Sequence, residues 1–220
     1  MALTLSELIT EVQALTGRED DAELITQARV VRFLNMAQDE IVKTCFGHID
    51  LETKDADAIT LATETYSYSF ASLTPEVFHL LDVFYMDGSM SKKLHYRDTE
   101  DFDEDHPDPT LFSGIPTEWT RRGATIEIYP IPSESEDGKY LRVDYTKVPT
   151  AFSTSSLTAT CNMAMADQGL VYFAVSEAFK SIGGHPQESA DYRNDFYTWL
   201  EEYRRLKDGR YLSMLSNLFA

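Results

Sequence analysis

Between Asp98 and Asp108, seven of eleven side chains are carboxylates, the densest set of potential ligands in the chain. A hard cation such as calcium gathers several carboxylate oxygens, and Asp101, Asp103 and Asp105 stand at the alternating positions that open an EF-hand loop. The pattern then departs. His106 occupies the position of the turn glycine, Phe112 that of the bidentate glutamate, and no helix pair flanks the stretch. As a structural element the run reads as a solvated short helix or loop. It also suits an electrostatic handle for a partner with a basic surface.

No other constellation assembles. His48, His79, His95, His106 and His185 stand at no metal-ligand spacing from one another. His48 follows Gly47 and His185 follows Gly183-Gly184, so both read as helix-end residues, while His79 and His95 could face each other across a hairpin. There is no nucleophile elbow, zincin helix, phosphate loop or dinucleotide fingerprint. With 37 carboxylates, pairs about 5 Å apart arise by chance, so a glycosidase reading has no specific support. Cys45 and Cys161 match no metal pattern and read as reduced, buried thiols. No catalytic residue, metal site or cofactor is therefore assigned.

The scaffold that would position these groups is globular. Of 220 residues, 43% are apolar and 12% aromatic. The net charge of −18 opposes nonspecific duplex binding, and Arg121–Arg122 and Arg204–Arg205 are isolated basic pairs among acids. No run approaches the roughly 20 apolar residues of a membrane span. The first segment carries Glu7 and Glu11 without a basic start, unlike a signal peptide.

The spacing predicts two helices at each end. Thr4 to Glu7 forms a capping box, Leu3 and Leu8 suit a hydrophobic staple, Leu5, Leu8, Val12 and Leu15 form a stripe, and Gly17 stops the helix. A second helix runs from an N-cap at Thr26 toward Gly47, with Val30, Phe33, Leu34, Ala37, Ile41 and Cys45 on one face and Gln38 on the other. A third spans about Asp167 to Ile182 and ends at Gly183-Gly184. Pro186 opens a fourth, with Tyr192, Phe196, Trp199, Leu200, Tyr203 and Leu206 on its core face and Gly209 as its stop.

Residues 50–150 alternate with period two instead. Ile59 to Phe70, Leu80 to Met86, Thr125 to Tyr129 and Tyr140 to Tyr145 read as strands, with the turn Asp87-Gly88 leading to a hairpin partner at Lys93 to Tyr96. About five to seven short strands suffice for an antiparallel sandwich or barrel. The expected fold is therefore α+β: a four-helix bundle built from residues 1–49 and 151–209, an inserted antiparallel β-sandwich or barrel-like domain at 50–150, and an apolar tail at 210–220.

Several stretches, in this order, resemble known proteins. They are Phe33-Leu34-Asn35-Met36-Ala37-Gln38; Gly114-Ile115-Pro116-Thr117-Glu118-Trp119 followed by Ile126 to Pro132; Tyr145-Thr146-Lys147-Val148-Pro149; and Leu170-Val171-Tyr172 through Gly183-Gly184, then a Tyr192, Phe196, Leu200 helix. Nearly the whole chain resembles the head–tail adaptor proteins of tailed bacteriophages, closest to the portal-proximal adaptors of short-tailed phages. The resemblance implies a structural, non-enzymatic protein of the virion neck. It implies a twelve-fold homo-oligomeric ring beneath the portal protein, a platform for a tail or nozzle protein, retention of packaged DNA, and a channel through which genomic DNA passes without specific binding. An acidic wall would suit that passage, since repulsion prevents sticking. The acidic run departs from the family pattern and receives no family role.

Residues 211–220 include six large apolar side chains, Tyr211, Leu212, Met214, Leu215, Leu218 and Phe219. They either fold back on the bundle or, as the resemblance implies, dock in a groove of the portal. Asp101, Asp103, Glu104, Asp105, Glu134 and Glu136 lie in stretches expected as exposed loops, and are the candidates for tail contact. A head-completion stopper or tail-tube terminator is the alternative virion role, against which the helix pairs argue. A calcium-dependent binding module and a carboxylate hydrolase are the alternatives outside the virion.

Overall fold

A computed structural model of the chain describes residues 2–17, 25–45, 51–71, 73, 76–88 and 90–207. The chain divides into two compact units, Met1–Leu51 with Pro149–Ala220, and Glu52–Val148. The fold is mixed α+β.

In the helical unit, α1 (Leu5–Leu15) starts at the expected capping box. The Glu7 amide donates to Thr4 Oγ1 at 3.3 Å and the Thr4 amide donates to Glu7 Oε2 at 2.8 Å. Such a cap contributes about 1 kcal/mol. Leu5, Leu8, Ile9 and Val12 are buried. Leu15 is 41% exposed, because the buried line continues from Val12 to Thr16, four residues on, and misses position 15. Gly17 follows at φ +64°, left-handed backbone that suits glycine.

Thr26 caps α2 (Gln27–Thr44) by accepting from the Arg29 amide. Its buried face holds Val30, Phe33, Leu34, Ala37 and Ile41 as expected, while Cys45 just beyond it is half-buried. Gln38, expected on the polar face, is buried with Nε2 3.9 Å from Cys161 Sγ. Asn35 explains part of the motif around it. Its Nδ2 donates to the Phe152 carbonyl at 3.1 Å and its Oδ1 accepts from the Phe152 amide at 2.8 Å. The two amides of this motif thus attach α2 to the irregular segment that leads into the later helices.

The later helices are α4 (Asp167–Ile182) and α5 (Pro186–Lys207); α3 (Thr99–Asp105) belongs to the other unit. α1, α2 and α5 all pack against α4, nine of whose sixteen residues are buried. A helix covered on several sides cannot be strongly amphipathic. The helices thus group around α4. Phe196, Leu200 and Tyr203 of α5 are buried, Tyr192 and Trp199 are half-buried, and the Leu206 side chain and Gly209 lie outside the described residues. At Gly169 a Cβ would fall 2.1–2.5 Å from the Trp199 ring, so glycine permits this close approach of α4 and α5. Among the described residues, no helix is long and apolar enough to cross a membrane.

The β unit contains two four-stranded sheets. The strands are β1 (Glu52–Thr60), β2 (Ser67–Ser69), β3 (Val77–Asp87), β4 (Met90–Lys93), β5 (His95–Tyr96), β6 (Glu118–Arg122), β7 (Thr125–Tyr129) and β8 (Tyr140–Lys147). One sheet has the order β1-β8-β3-β4 and the other β2-β7-β6-β5. Leu80, Val83, Tyr85, Leu141, Val143 and Tyr145 from the first share a core with Tyr68, Trp119, Ile126 and Ile128 from the second.

Two strand expectations need correction. The hairpin partner of β3 is Met90–Lys93, with Asp87 opposite Met90 across a turn that places Gly88 at φ +56°. The next residues change sheets. The Leu94 amide still bonds to the Val83 carbonyl, whereas the His95 amide bonds to the Thr117 carbonyl of the second sheet. β5 then pairs parallel with β6, the one departure from antiparallel pairing among the named strands. This switch also separates His79, opposite Thr146, from His95, opposite Glu118, so the two do not face each other.

Candidate contact site

The acidic run folds as a short helix seated on the second sheet. Asp98 caps α3 by accepting from the Glu100 amide at 3.2 Å. Phe102, the one apolar residue of the helix, is 1% exposed and anchors it. His106 ends the helix and stacks on Tyr129 with ring centroids 3.6 Å apart. Burying one side of a charged helix leaves its acids to pair with bases of the supporting strands or face water.

Both outcomes occur. Asp103 accepts from Arg122 Nη2 at 2.6 Å, and the same guanidinium holds Glu127. Asp105 pairs with Arg97 at 3.0 Å. Arg97 also reaches Glu118 at 3.2 Å, and His106 Nε2 lies 3.1 Å from the same Glu118 oxygen. Burial alone would raise the Glu118 carboxyl, but hydrogen bonds from His106 and Arg97 outweigh it and hold the group below its ordinary value. Asp101 and Glu104 are exposed and make no ion pair among the described residues. Asp101, Asp103 and Asp105 therefore lie on a helix, not on the encircling loop that an EF-hand requires. Among the described residues, no three of His, Cys, Asp and Glu are grouped to hold a metal ion.

The other expected loop, Ser133–Gly138, contains the 3-10 turn Glu134–Glu136. Glu134 is exposed. Glu136 is not a surface contact residue: it is 3% exposed, accepts a hydrogen bond from the Tyr85 hydroxyl, and is 3.1 Å from Lys139 Nζ. Burial would raise its carboxyl, yet the bonds from Tyr85, Ser135 and Lys139 hold it below the ordinary value. The physical reason is local. The turn closes over the first sheet, and Lys139, also 3.1 Å from Asp87, draws Glu136 inward. Tyr211, Leu212, Met214, Leu215, Leu218 and Phe219 lie outside the described residues, as does His48.

One surface was not singled out from the sequence. Leu111, Phe112 and Ile115 are 70%, 62% and 48% exposed, close together in the segment between α3 and β6. The segment is held in place, since the Gly114 amide donates to the Ile131 carbonyl at 2.8 Å and the Ile131 amide to the Phe112 carbonyl at 3.1 Å. Large apolar side chains in a stretch without period-two alternation were the available signal.

The β unit thus presents exposed acidic and apolar side chains on hydrogen-bonded backbone. The family model for the SU10 adaptor protein matches residues 3–216. The chain belongs to the SU10 adaptor protein family. It is a phage adaptor with a structural role at the head–tail junction. No curated protein matches the adaptor. The match takes in both units, including Asn35 and Gln38, whose amides hold the adaptor's α2 in place.

Proposed function

We propose that the adaptor assembles as a closed homo-oligomeric ring, twelve-fold by analogy, beneath the portal protein in the virion neck of a short-tailed phage. The tail or nozzle protein joins its other side, and genomic DNA passes through the channel without specific binding. The helices α1, α2, α4 and α5 act as a four-helix bundle that carries the ring, with the β unit as its insertion. Tyr211, Leu212, Met214, Leu215, Leu218 and Phe219 dock in a groove of the portal. Asp101, Asp103, Glu104 and Asp105 face the tail. The observation that supports this reading is the family match from residue 3 to residue 216, through both units. The net charge of −18 agrees with a conduit wall that repels DNA.

The docking test is removal of residues 211–220. The truncated adaptor is expected to fold, by circular dichroism, and to fail to join portal-containing heads in a pull-down. Undiminished attachment would sink the docking assignment.

A further inference from the structure

One of the three exposed apolar residues, Leu111, lines an open groove of about 780 Å³ in the β unit, and Phe112 follows it in sequence. Its lining includes Leu111, Ile131 and Pro132, together with two exposed acids, Glu64 and Glu134. The groove is mostly polar, with Leu111 as its exposed apolar side chain and two acids beside it, and ordered, exposed apolar side chains grouped as Leu111, Phe112 and Ile115 are mark interaction sites. The same unit carries the complementary chemistry. β4 is the edge strand of the first sheet, and Met90, Ser91, Lys92 and Lys93 are all exposed. Met90 is 63% exposed, and Lys93 pairs with Asp82 while Lys92 makes no ion pair among the described residues.

We propose that the groove lined by Leu111, Ile131, Pro132 and Glu134, with Phe112 beside it, receives the β4 edge, Met90 to Lys93, of a second copy of this chain. Met90 packs against Leu111 and Lys92 meets Glu134 or Glu64. The contact is heterologous: two different surfaces of one protomer meet those of its neighbours, which is what a closed ring requires. It also covers an edge strand that otherwise presents unpaired backbone groups. This assignment rests on the ring reading above and specifies which faces make the lateral contact.

The test uses the full chain assembled on portal-containing heads from equal amounts of ordinary and 15N-labelled protein. A carbodiimide then joins carboxylates to amines in direct contact. The expected products include peptides linking Lys92 to Glu134 or Glu64 with one label on each side. Assembly with no such mixed-label product would overturn the proposal and leave the ring reading intact. Failure of the chain to assemble on heads at all would overturn the ring reading and this proposal with it. A charge exchange gives a second readout. Glu134→Lys and Lys92→Glu should each weaken lateral association about threefold, and the double variant should recover it. Phe112→Ser should weaken it about tenfold with an unchanged circular dichroism spectrum. Independent, additive losses in the double charge variant would overturn the pairing.

Discussion

Replacing Asn35 gives the sharpest check on how the helical unit is held. Its amide makes two hydrogen bonds to one residue, donating to the Phe152 carbonyl at 3.1 Å and accepting from the Phe152 amide at 2.8 Å. At about 1 kcal/mol each, their loss in Asn35→Ala should cost about 2 kcal/mol. Asn35→Asp separates the two bonds. A carboxylate still accepts from the Phe152 amide, but its second oxygen replaces a donor and faces the carbonyl oxygen. Ionisation is therefore disfavoured in the folded state, and the carboxyl of the variant should titrate above the ordinary Asp value of about 3.9. The penalty is then fully present at neutral pH and relieved as pH falls through the raised value, because a protonated carboxyl can donate to the carbonyl. Urea unfolding followed by far-ultraviolet circular dichroism, each variant against the parent at the same pH, measures this. A loss for Asn35→Ala within about 0.5 kcal/mol, the range of an ordinary surface change, would refute the reasoning. So would an Asn35→Asp penalty that does not shrink in acid.

Three further outcomes follow from the same geometry. Gly169→Ala gains about 1 kcal/mol of helix propensity but drives a methyl into the Trp199 ring, and overpacking costs about 1–3 kcal/mol. It should destabilise the parent and become stabilising in a Trp199→Leu background, a reversal of sign readable in urea midpoints. Phe102→Ala should unseat α3 at a cost of about 3 kcal/mol, seen as lost hydrogen-exchange protection at 99–105 while the strands stay protected. Glu118 and Glu136 are both held below the ordinary Glu value of about 4.3. Their contribution is present above that value and lost as pH falls through the folded-state values, so Glu118→Gln and Glu136→Gln should flatten the acid limb of stability against pH.

Local chemistry was the legible part of this chain. The Thr4–Glu7 box, the Thr26 cap, the Gly183 stop and the strand at Thr125–Tyr129 each follow from a few adjacent residues. What required the third dimension was less accessible. Gln38 looks solvent-facing until Cys161, far away in sequence, covers it. Glu136 looks like a loop acid until Tyr85 and Lys139 enclose it. Nothing between Lys93 and His95 announces a change of sheet, because the switch depends on which carbonyl each amide finds. Gly169 carried a usable signal, a glycine inside a helical pattern with no capping role, which often marks a close packing contact. The composition of the acidic run left a solvated short helix and a loop equally open; that it is a helix, anchored through Phe102 and paired with Arg97 and Arg122, depends on the sheet beneath it.

The acids of α3 are divided between those tied to arginines and those left exposed, so the helix keeps a negative face on a fixed mount. The apolar segment after it presents Leu111, Phe112 and Ile115 on a pinned backbone. A structural adaptor needs surfaces of this kind, ordered before the partner arrives.

The most direct measurement is a symmetry-resolved cryo-electron microscopy map of the phage particle that carries this protein. The account predicts a ring of copies directly beneath the portal, surrounding the DNA channel, with density for both the helical and the β unit in every copy. Locating the chain elsewhere in the particle, or finding the neck occupied without it, would contradict the account.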